Sequence, residues 1–79
     1  MEIDLINGQF SSKEAIDLIG EMIQVKIKYH ENKIKDSHNE EDVKMRESKI
    51  KTLQNELAKF RAHINTQEGT IFINGTIKL

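Results

Sequence analysis

Between residues 12 and 35 apolar side chains return every three or four positions, at Ala15, Ile16, Leu18, Ile19, Met22, Ile23, Val25, Ile27, Tyr29 and Ile34. That is the period of an α-helix, and at 1.5 Å per residue the segment is about 36 Å long. Wound at 100° per residue, the ten positions spread over about 200° of circumference, roughly twice the stripe that one neighbouring helix covers. Such a helix has to be covered from two directions. No other feature of the chain restricts its fold as much.

The boundaries of this helix are written in its flanks. Ser11 and Glu14 have the spacing of a capping box, in which each side chain satisfies the other's exposed backbone amide. The polar run Asp36-Ser37-His38-Asn39-Glu40-Glu41-Asp42 offers two further caps, Ser37 with Glu40 or Asn39 with Asp42, and so predicts a turn over 36–39 and a second helix over 40–64. In that helix Val43, Ile50, Leu53, Leu57, Phe60 and Ile64 keep a heptad-like register, and only Arg46 interrupts it. Three acids stand four residues ahead of a base, Glu40 before Lys44, Asp42 before Arg46 and Glu47 before Lys51, which marks solvated flanks. Two periodic segments joined by a short polar turn predict an antiparallel, coiled-coil-like helical hairpin.

Short β segments flank the hairpin. Residues 2–6 are apolar-rich and run into Asn7-Gly8, a pair that readily turns the chain, so a strand over 2–6 is expected to end there. The C-terminal tract 70–79 is rich in β-branched residues and has two readings. Asn74-Gly75 favours a β-hairpin, whereas one continuous strand would put Ile71, Ile73, Ile77 and Leu79 on one face. Antiparallel helices bring residues 10 and 66 to the same end, so the two terminal segments are placed to pair. Ile6-Asn7-Gly8 and Ile73-Asn74-Gly75 are alike, but the likeness does not extend into a repeat.

Seventy-nine residues make one domain, 1–79, of a size that removes only a modest fraction of its surface from water. The chain has no cysteine, which excludes disulfides, thiolate nucleophiles and cysteine zinc motifs, and leaves self-association as the expected source of extra stability. The absence of a long apolar run and the acidic start MEIDLINGQF predict a soluble, cytoplasmic protein without a membrane partner. A formal net charge of −1 argues against a dedicated nucleic-acid binder. Charge is nevertheless uneven: residues 1–21 hold five acids and one base, while residues 22–51 hold eight bases and six acids.

Little in the sequence carries chemistry. His38 lies among Asp36, Glu40, Glu41 and Asp42, but the spacing matches no metal motif and suits a solvated turn at a helix start. His30 sits beside Tyr29 on the apolar arc, where an imidazole needs a hydrogen-bond partner, and Glu47 is expected at about that height on the second helix. His63 suits the negative end of the second helix dipole. The serines are explained as caps or as the solvent-facing Ser48, and glycines at 8, 20, 69 and 75 form no phosphate loop, so neither enzyme activity nor a cofactor or metal is expected.

The expected architecture is therefore a mainly-α helical hairpin with terminal β segments, two copies of which pack as a homodimeric four-helix bundle. The expected function is that of a structural or protein-interaction module, binding itself or another helical protein through Leu18, Ile19, Met22, Ile23, Val25 and Tyr29. The alternative is a small regulator or accessory protein touching nucleic acid through a basic patch of Lys26, Lys28, Lys33, Lys35, Lys49 and Lys51 near the hairpin tip. Interleaved acids weaken that second reading.

Overall fold

The computed structural model describes residues 1–66 and 69–79. The order of elements is β1 (Glu2–Phe10), α1 (Ser12–Asp36), α2 (Glu40–Asn65) and β2 (Ile71–Lys78). The expected ending of the second helix over 65–69 falls partly outside the described residues; the helix itself closes at Asn65, with Thr66 as its cap.

Both helices begin where their caps direct. The Ser11 hydroxyl accepts from the Glu14 amide at 3.1 Å, and the Glu14 carboxylate accepts from the Ser11 amide at 3.0 Å. That exchange satisfies two of the amides a first turn leaves open. At the tip Asn39 is the cap of α2, its Oδ1 accepting from the amides of Glu41 and Asp42, while Ser37 accepts from the Asn39 amide within the turn. Glu40, Glu41 and Asp42 then occupy the first turn of α2, where the helix dipole favours carboxylates.

The hairpin seam is narrow. On α1 the buried Gly20 and Ile27 and the half-buried Ile16, Ile23 and Ile34 recur at helical spacing on one side of the helix, Gly20 facing Leu57; on α2 the buried residues are Leu53, Leu57 and Ile64. Ala15, Ile27, Leu53, Leu57 and Ile64 make up the buried hydrophobic core. The flanking Glu40, Lys44, Glu47 and Lys51 are exposed, and Asp42 with Arg46 forms an ion pair at 3.3 Å.

The first terminal segment runs past the Asn-Gly pair expected to end it, and at the second pair the chain takes the continuous-strand reading of the two that the sequence left open. β1 does not end at residue 6 but runs on through Asn7 and Gly8 to Phe10, and β2 is one strand instead of a hairpin, pairing antiparallel with β1 from Glu2↔Lys78 to Phe10↔Ile71. Asn7 and Asn74 lie directly opposite each other. The turn at 74–75 requires positive φ, and among the described glycines only Gly8 (φ 156°) and Gly69 (φ 81°) have it. Gly75 instead leaves room for a neighbour: a Cβ there would sit 3.3 Å from Cγ2 of Ile6, its partner across the ribbon. Its glycine serves packing, not turning.

A bulge at Leu5 decides the faces of this ribbon. The register skips Leu5 between Asp4↔Thr76 and Ile6↔Gly75. Residues paired across an antiparallel ribbon share a face, so the skip places Ile3, Ile6 and Phe10 on the side of Ile71, Ile73 and Ile77. Without it Ile3 and Ile6 would point to opposite sides. The other face carries Glu2, Asp4, Asn7, Gln9, Asn74 and Thr76, with a Thr76–Asp4 side-chain hydrogen bond at 3.4 Å and a Thr70–Gln9 bond at 2.5 Å.

The helices cover the ribbon only in part, leaving Ile6, Phe10, Ile71 and Ile73 half-buried. Among the described residues it approaches α1 alone; no α2 Cα comes within 8 Å of a strand Cα. The molecule measures 47 × 33 × 14 Å with a radius of gyration of 15.1 Å, against about 11.6 Å for a compact chain of this length.

Candidate interaction surface

The wide apolar arc of α1 divides into two stripes. One is the seam toward α2. The other is Leu18, Met22, Val25 and Tyr29, spaced 4, 3 and 4 residues apart and therefore collected within about 60° of the circumference. Leu18, Val25 and Tyr29 are 37, 69 and 54% exposed, and Met22 is half-buried. Ile19 is half-buried between the stripes, and Ile23 is half-buried on the seam side. The six residues expected to form one face are thus dispersed: four line an open stripe with a spacing fit for a second helix, Ile23 lies on the hairpin side and Ile19 between the two.

Between the stripes, an open groove of about 470 Å³ runs along α1, with Ile16, Gly20, Gln24 and Val25 on one wall and Arg61 of α2 on the other. Gly20 is buried beneath it and faces Leu57 and Arg61.

Tyr29 is bracketed by cations. The Lys33 ammonium lies 5.7 Å from its ring centre and the Arg46 guanidinium 5.8 Å, both in range for cation–π attraction, and the His30 ring meets it edge-on at 5.3 Å. The partner of His30 is Arg46, not Glu47: Arg46 Nη1 lies 3.0 Å from His30 Nδ1. Since a guanidinium only donates, Nδ1 accepts and the imidazole is neutral. Burial lowers the His30 pKa below the ordinary 6.5, and the positive charges of Arg46, Lys49 and Lys26 lower it further. Arg46 also donates to Asp42, so the residue that breaks the apolar register of α2 joins the two helices by polar contact.

All six lysines of the expected basic patch are exposed, but they do not converge. Lys26 and Lys49 line a groove with His30 on one side of the hairpin seam, whereas Lys28 lines the groove with Arg61 on the other side. Lys33 sits over Tyr29, and Lys35 and Lys51 belong to neither groove. Among the described residues no group of three or more histidine, aspartate or glutamate side chains is placed to hold a metal ion. Among them, too, no helix is long and apolar enough to cross a membrane.

A second surface is only half-present in the sequence reading, as the isoleucine face of a continuous C-terminal strand. The apolar ribbon face is half-buried at Ile6, Phe10, Ile71 and Ile73 and open at its far end, with Ile3 and Ile77 at 40 and 39% exposure, and Phe72 projects from the opposite face. Sequence pattern had both strands in outline; the bulge that aligns their isoleucines appears only once the register is known.

Comparison with protein-family models, with curated proteins and with solved structures finds nothing that matches this chain.

Proposed function

We propose that the chain is a protein-assembly module that acts by self-association, two helical hairpins meeting along the open stripe of α1 to form a four-helix bundle. The observation that carries this reading is the second heptad-like stripe, Leu18, Met22, Val25 and Tyr29, on a helix whose first stripe α2 already occupies. Surface area supports it. The chain exposes 6193 Å², about 1,300 Å² more than the roughly 4,900 Å² of a compact monomer of this mass. A standard interface takes about 800 Å² from each partner, so the excess is of the size an obligate dimer removes. Catalysis and cofactor binding have no part in this reading.

Sedimentation equilibrium at tens of micromolar tests it. The expected result is a mass above that of the monomer, and a Leu18→Glu, Val25→Glu double variant that stays folded and associates less. A wild-type chain that is monomeric at that concentration, with cooperative thermal unfolding, overturns the proposal.

A further inference from the structure

The two long edges of the β-ribbon are not equivalent. The β1 edge carries the Leu5 bulge together with Glu2 and Asp4, and bulges and charges are the means by which proteins keep an edge from accepting another strand. β2 has no bulge and a single charged residue, Lys78, in eight. A ribbon of two strands is also marginal by itself, and α1 alone among the described helices approaches it.

Backbone polarity shows what the open edge offers. Met1 and Leu79 exchange both backbone hydrogen bonds, at 2.8 and 2.7 Å. In an antiparallel pair such exchanges fall on alternate residues, so Ile77, Gly75 and Ile73 address β1, while the amides and carbonyls of Phe72, Asn74, Thr76 and Lys78 point away from it. β2 is regular along its length, and this row of donors and acceptors is therefore continuous.

From this asymmetry we infer that the β2 edge is a docking surface for the β2 strand of a second copy, giving a four-stranded antiparallel sheet in the order β1-β2-β2-β1 about a two-fold axis near Asn74 and Gly75. A second copy suits the edge for three reasons. Antiparallel self-pairing of one strand sets like parity against like, so the isoleucine faces of the two ribbons join into one. With Lys78 its only charge, β2 meets no like charge across such an axis. The outward row of one copy, Phe72, Asn74, Thr76 and Lys78, offers the donors and acceptors that the same row of another copy requires. The edge is separate from the α1 stripe, so either surface can fail without the other.

Single cysteines test this directly, because the wild-type chain has none. Asn7 and Asn74 sit at one height on opposite edges. In the inferred sheet the two copies of residue 74 are one strand spacing apart, about 5 Å, and the two copies of residue 7 three spacings, about 15 Å. An Asn74→Cys chain is expected to form a disulfide-linked dimer under mild oxidation at least tenfold faster than an Asn7→Cys chain. Faster linkage through position 7, or no linkage at either, overturns the inference. In the Asn74→Cys background Thr76→Pro, whose lost amide faces outward, is expected to abolish linkage. Asp4→Pro at the other edge is expected to preserve it, helical circular dichroism being retained in both. Linkage that survives Thr76→Pro also overturns the inference. Combining Asn74→Cys with the Leu18→Glu, Val25→Glu pair separates the two surfaces: linkage through position 74 is expected to persist when the α1 stripe is disabled.

Discussion

His30 is neutral because of what surrounds it, and that fixes the sign of its effect on stability. Its proton is held less tightly in the folded chain than in the unfolded one. Above pH 6.5 both states are neutral and the contribution is fully present. As the pH falls below that value the unfolded state binds the proton first, so stability is lost toward the lower folded pKa. The urea midpoint is therefore expected to drop between pH 8 and pH 5.5. In a His30→Gln variant, which keeps an acceptor for Arg46 without a titrating ring, this dependence is expected to flatten; an unchanged dependence would place its origin elsewhere. Gly20 gives a second residue-level prediction. A Cβ built there meets Leu57 Cδ1 at 3.9 Å and Arg61 Nη2 at 3.8 Å, ordinary van der Waals distances. The substitution Gly20→Ala should then be accommodated, and the gain in helix propensity, about 1 kcal/mol, should raise the melting temperature by roughly 4–8 °C. A fall in thermal melting would show that α2 needs the glycine.

At the scale of elements, the two stripes of α1 make opposite predictions. Leu57, 5% exposed, is held in the seam, and Leu57→Ala should cost about 2–5 kcal/mol, a large part of what a chain this size has to lose. Val25, 69% exposed, should change the stability of an isolated hairpin by less than about 0.5 kcal/mol when replaced by serine, and should act instead on association. Chemical denaturation at low and high protein concentration separates the two effects. The helices were legible in the sequence because period, caps and the polar tip all agree; Ser11 with Glu14 and Asn39 with Asp42 mark their starts almost to the residue. The ribbon was legible as β but not in detail. Asn-Gly is a local turn signal, and at 74–75 it yields to a long-range requirement, space for the Ile6 side chain. The surface stripe was legible in its residues but not in its limits, Leu18, Met22, Val25 and Tyr29 being expected on one face with Ile19 and Ile23. Which residues of the apolar arc α2 takes depends on how the helices are rotated about each other, a tertiary quantity that a period does not contain. Arg46 shows the same limit: in the sequence it breaks a register, and in the fold it bridges Asp42 and His30.

For the whole molecule the decisive quantity is the ratio of core to surface. Among the described residues five buried hydrophobic side chains hold together a chain whose radius of gyration exceeds the compact value by about 3.5 Å. A domain so open is marginal alone, and if association supplies the missing burial, folding and assembly are one equilibrium. Its melting temperature then depends on protein concentration, because the unfolded state is favoured by dilution and the dimer is not. Each tenfold dilution removes about 1.4 kcal/mol per mole of dimer. With an unfolding entropy of roughly 2.1 cal/mol/K per residue over both copies, that corresponds to a fall of about 4 °C. Differential scanning calorimetry across two decades of concentration should therefore move the transition by about 8 °C. The Leu18→Glu, Val25→Glu and Thr76→Pro changes should each reduce that shift in proportion to the burial lost at their surface. A transition that stays in place across the whole range would mean that the single chain supplies all its own stability, and neither the α1 stripe nor the β2 edge would then be occupied by another copy.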